Sequence, residues 1–186
     1  MGRWAPDSRG RLQEAAMKLF IERGYENVTV ADIAERAGLT KRSFFNHFAD
    51  KREVFFAQAD VLEARVVAAL ADADGAYPLD AAIAAYTEAG ADMEGFADLV
   101  RARREIIDSS PELRERELAK MASLTASVAA ALAARGVGAR EAFFAAQAAT
   151  TIYMTATDDW ARDPRHGIAA ALQDALGDLR ASLAKA

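Results

Sequence analysis

Cysteine is absent from this 186-residue sequence, which excludes disulfide bonds, a thiol nucleophile and a zinc site built on cysteine sulfur. Only two histidines occur, His47 and His166, and neither has the H-E-x-x-H spacing of a metal-binding pair. A glycine-rich phosphate loop and a G-x-S-x-G nucleophile elbow are also missing. Because the patterns of common enzyme sites are absent, we predict that the chain is not an enzyme and uses no metal or cofactor.

Long apolar segments and a secretion signal are missing as well. No run of about eighteen or more apolar residues is free of charge, and residues 1–11, MGRWAPDSRGR, lack the apolar core of a signal peptide. We therefore expect a cytoplasmic protein with no membrane partner.

Proline is scarce, whereas small apolar residues are abundant. The chain has four prolines, and 52% of its residues are hydrophobic, many of them alanine. Its length suffices for one or two small helical domains. The composition therefore predicts an all-α fold.

The most informative segment is residues 29–54, TVADIAERAGLTKRSFFNHFADKREV. Thr29 can cap the N-terminus of a helix, with Asp32 at its third position, and the apolar spacing predicts that this helix covers about residues 30–37. Gly38 then supplies the positive φ that ends a helix without steric cost. The pattern predicts a short helix followed by a tight turn.

A second short helix follows this turn, with Thr40 as its N-cap. Phe44 and Phe48 lie one turn apart on its expected buried side. Its other side is polar and carries Lys41, Arg42, Ser43, Asn46 and His47. Asp50 and Glu53 predict a further capping box that starts a long helix. An aromatic inner face and a cationic outer face suit insertion into a DNA major groove, so residues 29–54 predict a helix-turn-helix DNA reader.

The run G-L-T-K-R-S-F-F-N-H-F-A-D-K-R-E-V, residues 38–54, resembles the recognition segment of the TetR family of one-component transcriptional regulators. An amphipathic helix precedes it and ends in Arg-Gly-Tyr at residues 23–25, similar to the first helix of that family. The resemblance covers about residues 8–56. It implies about nine helices, and a homodimer that binds double-stranded palindromic operator DNA and responds to a small-molecule effector.

The resemblance and the exposed face of the second helix together predict the DNA contacts. Lys41 and Arg42 are expected to reach base edges and nearby phosphates. The residues expected to position the backbone are Thr29, Thr40, Ser43, His47 and Lys51. The full predicted set is Thr29, Thr40, Lys41, Arg42, Ser43, Phe45, Asn46, His47 and Lys51.

Two members of this set have more than one interpretation. At Phe45 the family usually has a tyrosine whose hydroxyl touches a phosphate, so this residue either only packs or makes an apolar contact with a thymine methyl group. His47 either meets a phosphate, as the resemblance implies and as we favour, or is a surface histidine stacked on Phe48.

Charge is unevenly distributed along the chain. Residues 1–56 hold ten Lys/Arg and eight Asp/Glu, a net charge of +2, whereas residues 57–186 hold thirteen and twenty, a net charge of −7. Because the basic surplus is small, we expect DNA affinity to need two copies of the reader and helix N-termini directed at phosphates.

The chain is expected to form two domains. Residues 1–56 would bind DNA, and residues 57–186 would bind the effector and dimerise, with helix four bridging from Lys51 to about residue 71. The later helices are predicted at residues 79–94, 96–108, 111–135 and 139–162, with a ninth that opens at Asp163-Pro164.

The middle helices contain the candidate effector pocket, a set of bulky apolar and isolated polar residues: Tyr86, Met93, Phe96, Arg103, Met121, Thr125, Gln147, Thr150 and Met154. For any single residue we favour ordinary core, with threonine hydroxyls bonded to the preceding turn, whereas the set as a whole favours a cavity.

Two charged segments in this region are interpreted as solvent-exposed surface. Arg101, Arg103 and Arg104 could hold an acidic effector, but we favour a solvated face neutralised by nearby acidic side chains, Asp98, Glu105 and Asp108. Residues 112–120, ELRERELAK, are expected to form an exposed helix face.

Helix nine carries a single apolar stripe that must be buried either in the same chain or against a second subunit. The resemblance implies a four-helix interface made by helices eight and nine of two subunits, and we favour at least partial burial there. The predicted interface residues are Thr151, Thr155, Ile168, Leu172, Leu176 and Leu179, with Trp160 at its edge.

The expected function is that of a ligand-responsive homodimeric repressor whose reading helices lie about one DNA turn, roughly 34 Å, apart. A mostly hydrophobic effector would change their separation through helix four and release the operator. Activation is an alternative to repression. The main rival is a helical small-molecule-binding or interaction protein without specific DNA binding.

Overall fold

The computed structural model describes residues 8–73 and 77–184, and every regular element in these ranges is a helix. The α-helices are α1 (Ser8–Arg23), α2 (Val30–Arg36), α3 (Lys41–Phe45), α4 (Lys51–Asp72), α5 (Pro78–Gly90), α6 (Ala97–Ser109), α7 (Pro111–Ala134), α8 (Ala139–Arg162) and α9 (Gly167–Ala184). The predicted all-α fold is confirmed. Most of the predicted helix bounds agree with these to within two residues.

Two predicted helix bounds are wrong. Helix α5 ends at Gly90 rather than near residue 94, because the chain tightens into a 3₁₀ turn, Ala91–Met93, and then passes through Gly95 at φ +90°. Helix α9 begins at Gly167 rather than at Pro164. The Asp163 side chain accepts a hydrogen bond from the backbone N–H of Arg165 and closes a separate 3₁₀ turn there. The loop predicted at residues 74–78 lies largely outside the described residues.

The described residues divide into two compact units that are not contiguous in sequence. The first unit contains residues 8–59 and 102–117, and the second contains the described parts of residues 60–101 and 118–184. The N-terminal segment of the first unit ends at Ala59, and the domain boundary near residue 56 stays a prediction. Residues 102–117, which the sequence analysis places in the C-terminal domain, pack with the first unit, and their membership of the effector-binding domain stays a prediction.

The core of the first unit shows why residues 102–117 belong to it. Ile106, Ile107 and Leu113 are buried in the same apolar cluster as Phe20 and Phe55. The two phenylalanine rings lie 5.7 Å apart, a distance typical of favourable aromatic pairs. The end of α6 and the start of α7 therefore complete the core beneath the helix-turn-helix segment.

A buried carboxylate, that of Glu117, also links α6 and α7 within the first unit through two partly exposed arginines. The Glu117 carboxylate accepts hydrogen bonds from Arg103 at 3.2 Å and from Arg104 at 2.9 Å. The Arg103 guanidinium also lies over the rings of Phe55 and Phe56. Residues 112–120 form a mostly exposed face, as expected, while Leu113 and Glu117 on the other side are buried.

Arg101 and Arg104 pair with two of the three carboxylates predicted to neutralise this cluster, Asp98 and Asp108. Arg101 pairs with Asp98 at 2.6 Å, and Arg104 pairs with Asp108 at 3.4 Å as well as with Glu117. The Asp98 and Asp108 carboxylates are exposed, so their ion pairs with arginine contribute little to stability.

The core of the second unit is built from α5, α8 and α9, with apolar residues of α4 and α7. Ile168, Leu172 and Leu176 are exposed by 2% or less within the single chain. They have no surface left for a partner, so their assignment to a dimer interface is corrected to intrachain core. Trp160 is also buried in this core rather than at an interface edge. Leu179 is only half-buried.

Helix α7 is the one helix of the described residues whose length and apolar composition would let it cross a membrane. A core helix of a water-soluble protein passes the same test. In α7, Leu124, Val128 and Leu132 lie in the core of the second unit. The length and apolar composition of α7 are therefore weak evidence for a membrane span.

Candidate nucleic-acid interface

Helix α2 is fixed at its start by the predicted capping box. The Thr29 hydroxyl oxygen accepts a hydrogen bond from the backbone N–H of Asp32 at 3.2 Å, and the Asp32 carboxylate accepts one from the backbone N–H of Thr29 at 2.8 Å. The Thr29 hydroxyl also donates to this carboxylate. These bonds from the Thr29 side chain and backbone hold the pKa of Asp32 below its usual range.

The turn after α2 depends on Gly38, because its φ of +65° favours glycine. A guanidinium nitrogen of Arg11 lies beside it, 2.9 Å from where a Cβ would be. The same guanidinium donates a hydrogen bond to the backbone carbonyl of Ala37, at the C-terminal end of α2. Arg11 thus ties α1 to the turn that sets the direction of α3.

Helix α3 presents its aromatic side to the core, as predicted. Thr40 caps it by accepting a hydrogen bond from the backbone N–H of Ser43 at 3.0 Å. Phe44 and Phe48 are buried, with ring centroids 5.6 Å apart. The helix has only five residues, and Phe48 follows it in a turn in which its backbone N–H donates to the carbonyl of Phe44.

The outer side of α3 and the turn after it is exposed and mostly polar. Ser43 is half-buried, and the exposed residues are Lys41, Arg42, Phe45, Asn46 and His47. Because residues three and four apart share a helix face, Phe45 lies beside Lys41 and Arg42. This surface, residues 41, 42, 45, 46 and 47, is called the reading edge below. It combines two cations and two polar side chains with one apolar ring.

Two of the expected backbone-positioning residues are engaged within the chain. The Lys51 ammonium donates to the backbone carbonyls of Tyr25 at 2.8 Å and Val28 at 3.2 Å, and lies 4.0 Å from the Tyr25 ring centroid. It holds the loop between α1 and α2, and its contact with phosphate remains a prediction. The contact of Thr29 with the DNA backbone also remains a prediction, and in this structure its hydroxyl takes part in the capping box. His47 is exposed, with its ring 6.4 Å from that of Phe48.

The start of α4 follows the predicted cap in part. One carboxylate oxygen of Asp50 accepts the backbone N–H groups of Arg52 at 2.8 Å and Glu53 at 2.9 Å. The Glu53 carboxylate forms an ion pair with Arg116 at the start of α7. The cap therefore starts α4, while Glu53 joins it to the second segment of the first unit.

Part of the predicted effector pocket is brought together in the second unit. The buried Tyr86 hydroxyl lies 2.8 Å from the Thr150 hydroxyl, which lies 3.0 Å from the Thr125 hydroxyl. Thr125 bonds back to the carbonyl of Met121. The Tyr153 ring, which sequence reasoning missed, stacks on Tyr86 at 4.8 Å. The hydroxyl of Tyr153 donates to the sulfur of Met93, and Met154 packs against the same core.

Three predicted pocket residues lie apart from this group. Phe96 and Gln147 are exposed, and Arg103 belongs to the first unit, where Glu117 and two phenylalanine rings hold its guanidinium. Their assignment to the same pocket is therefore corrected. Residue type and position on neighbouring helices do not specify which helix face each side chain occupies.

One face of α8 remains exposed and includes two predicted interface residues, Thr151 and Thr155. Near the start of the helix, Phe143 and Phe144 are 50% and 58% exposed, with rings 5.6 Å apart. Sequence reasoning did not single out these two phenylalanines, although adjacent aromatics in an alanine-rich helix were a usable signal. Exposed apolar surface of this kind marks an interaction site more often than an isolated exposed side chain does.

Comparison with known families assigns both parts of the chain. Residues 12–57 match the family described as bacterial regulatory proteins, tetR family, and residues 76–184 match the MftR C-terminal domain. The first match contains the whole reading edge, and the second covers more than half of the chain. The chain belongs to the TetR family of transcriptional regulators.

Several TetR-type relatives have names that state their role. TcmR of Streptomyces glaucescens, a transcriptional regulator, is 40% identical over 63 residues, or 34% of this chain and 28% of TcmR. KstR2 of Mycobacterium tuberculosis, a repressor, is 48% identical over 46 residues, or 25% of this chain and 23% of KstR2. FasR of Mycolicibacterium smegmatis, an activator, is 39% identical over 51 residues, or 27% and 23%. The match spans less than a third of each relative.

Solved structures of the family share the fold over nearly the whole chain. A fatty acid degradation regulator, FadR of Bacillus halodurans, has a TM-score of 0.62 at 15% identity and covers 94% of both chains. A complex of SmeT, the repressor of a Stenotrophomonas maltophilia efflux pump, with triclosan has a TM-score of 0.62 at 19% identity, covering 92% and 90%. Thermus thermophilus FadR with lauroyl-CoA has a TM-score of 0.54 at 24% identity, covering 90% and 91%. At these identities the likeness supports the TetR fold alone.

The capping box predicts a pH-dependent contribution of Asp32 to stability. The lowered pKa of Asp32 means that the charged carboxylate stabilises the folded state above its unfolded pKa of about 4 and loses this effect as the pH falls through the lower folded value. Asp32→Asn should therefore be less stable than wild type at pH 7, and the two should converge in acid. Urea unfolding between pH 7 and pH 3 measures this difference.

The matched control is Glu35→Gln, which removes an exposed charge from the same helix outside the capping box. It should show a smaller and flatter difference. A gap between wild type and Asp32→Asn that stays constant into acid would contradict the assignment to the carboxylate.

Proposed function

We propose that this TetR-family chain is a cytoplasmic, homodimeric repressor that binds a palindromic operator and is released by a small, mostly hydrophobic effector. The reading edge of α3 is the observation that carries the proposal. Its exposed arginine, lysine and asparagine are the side-chain types that make hydrogen bonds with base edges. The buried rings of Phe44 and Phe48, outside the reading edge, keep α3 in place.

Capping geometry supports the reader as a preformed surface. Thr29 and Thr40 cap α2 and α3, and Arg11 holds the turn between them. Both helix N-termini are therefore ordered before DNA arrives, so less conformational entropy is lost on binding. Together with the small positive charge of residues 1–56, this favours DNA binding by two linked readers over one.

The exposed face of α8 supports a twofold dimer. Thr151 and Thr155 lie one turn apart, and the apolar rings of Phe143 and Phe144 are exposed near the start of the same helix. Small residues allow close helix approach, while the rings supply apolar area that is buried on association. A twofold axis matches the symmetry of a palindromic operator.

The aromatic and hydroxyl group around Tyr86 supports an effector site in the second unit. Stacked Tyr86 and Tyr153, with methionines nearby, form adaptable apolar surface, and Thr150 adds a polar anchor. Two solved structures with the same fold contain lauroyl-CoA or triclosan, which is consistent with a mostly hydrophobic effector. Because α4, α6 and α7 contribute residues to both units, we propose that the effector favours a dimer geometry that no longer fits the operator.

Selection from a random DNA pool tests the operator proposal. The wild-type protein should enrich a palindromic sequence, and its affinity should fall with salt because phosphate contacts release counterions. Arg42→Ala should cost about 1–3 kcal/mol at one base-pair position per half-site and relax the preference there. Gel shifts on the selected operator and its single-base variants measure both effects.

The control is Arg101→Ala, which removes the same charge from an exposed position in the second unit. It should leave base preference unchanged. If wild type enriched no sequence, the chain would instead be a helical ligand-binding or interaction protein. Reporter transcription from the selected operator separates repression from activation.

Paired substitutions on α8 and α9 test the dimer face. Thr151→Arg should convert dimers to monomers and abolish operator binding, because it places a long charged side chain in the proposed interface. Leu172→Ala should instead lower the free energy of unfolding by about 2–5 kcal/mol, because it opens a cavity in the intrachain core. Sedimentation equilibrium and urea unfolding measure the two effects. The control is Ala126→Arg, at an exposed position of α7, which should remain dimeric. Dimers of Thr151→Arg, or monomers of Ala126→Arg, would place the interface elsewhere.

Methionine truncation tests the effector site. Lauroyl-CoA or triclosan should bind and release the operator, and Met154→Ala should weaken that binding by roughly tenfold, the effect of losing a buried apolar contact of about 1.4 kcal/mol. Met17→Ala is the matched control, because Met17 packs against the core of the first unit. Isothermal titration with each probe gives the affinities. Equal losses in both variants, or no binding of either probe, would count against this site.

A further inference from the structure

Phe45 is the one apolar side chain of the reading edge. It is 56% exposed, whereas the neighbouring phenylalanines at positions 44 and 48 are buried. Lys41 and Arg42, four and three residues earlier, are exposed on the same side. The large apolar ring of Phe45 is therefore exposed to solvent among polar side chains.

The Phe45 ring is also supported from below. It packs edge-on against Phe44, with centroids 5.5 Å apart and ring planes 82° apart, a favoured arrangement for aromatic pairs. Phe44 itself is fully buried, so it provides a fixed base for the exposed ring. The contact with Phe44 restricts the exposed ring and so lowers the entropy that it loses on contact with a partner.

The chemistry of a phenyl ring restricts what Phe45 can recognise. It has no hydrogen-bond donor or acceptor, so it cannot bond to a phosphate oxygen or to the polar edge of a base. The apolar feature that bases display in the major groove is the C5-methyl group of thymine. Lys41 and Arg42 beside the ring complement the phosphate charge of DNA and oppose the approach of a second identical edge.

We propose that Phe45 is a specificity-determining residue that contacts the C5-methyl group of a thymine in each operator half-site. This inference rests on the proposed DNA binding and adds to it the chemical feature that one base pair must carry. The neighbouring polar residues select bases by hydrogen bonds, whereas Phe45 selects a methyl group.

Replacement of thymine by deoxyuridine tests the proposal, because it removes only the methyl group. In the selected operator, each thymine is replaced in turn and the wild-type affinity is measured by fluorescence anisotropy. One position per half-site should lose about three- to fivefold in affinity, the effect of withdrawing one methyl group from apolar contact. Replacing the same thymine by 5-methylcytosine, paired with guanine, should be less harmful than replacing it by cytosine.

The Phe45→Ala variant should lose this discrimination and bind the thymine and deoxyuridine operators with affinities within about 1.5-fold of each other. Phe45→Leu should retain part of it, since leucine is also apolar, and Arg42→Ala should retain all of it. Because Phe45 is largely exposed, folding of these variants can be verified by circular dichroism.

Two results would overturn the inference while leaving the proposed function intact. An equal deoxyuridine penalty in wild type and Phe45→Ala would mean that another residue contacts the methyl group. Absence of any deoxyuridine penalty, with a uniform loss in Phe45→Ala on all sequences, would mean that the ring packs on the sugar-phosphate backbone. Failure of wild type to select any operator would instead refute DNA recognition itself.

Discussion

Burial of Phe44 is the constraint on which the reading edge depends. Helix α3 has five residues, far fewer than an isolated helix needs to persist in water. Its stability must come from packing, which Phe44 and Phe48 supply by entering the apolar core of the first unit. The position of Lys41, Arg42 and Phe45 on the opposite side then follows from helix geometry alone. The same packing that keeps α3 folded therefore also orients the side chains available to DNA.

Local features of this arrangement could be predicted from sequence because their partners are close in the chain. Thr29 and Asp32 are three residues apart, as are Thr40 and Ser43, so the caps of α2 and α3 are visible as spacing. Arg11 and Ala37 are separated by 26 residues, and nothing in the local pattern indicates that they meet. Lys51 shows the same limit, since its ammonium donates to the backbone carbonyls of Tyr25 and Val28, which are far from it in the chain. Its phosphate contact stays a prediction.

Apolar periodicity identified α9 as a helix with one buried side but did not reveal what covers that side. The stripe of Ile168, Leu172 and Leu176 has the same spacing whether α9 packs in its own chain or against a partner. The structure resolves this in favour of the chain's own core. A similar ambiguity affected Arg103, which pairs with Glu117 in the first unit. Residue type suggested a ligand, whereas its position after folding gives it a structural role.

The division of the first unit into two sequence segments has a consequence for how this protein can vary. Ile107 and Leu113 fill the core beneath a reader that ends more than fifty residues earlier in the chain. A hybrid regulator could join the reader of one protein to the effector domain of another near residue 59. The residues equivalent to 102–117 would then come from a different protein than the core against which they pack. Exchange of specificity between relatives therefore requires residues 102–117 to be transferred with the N-terminal helices, or their buried side chains to be matched.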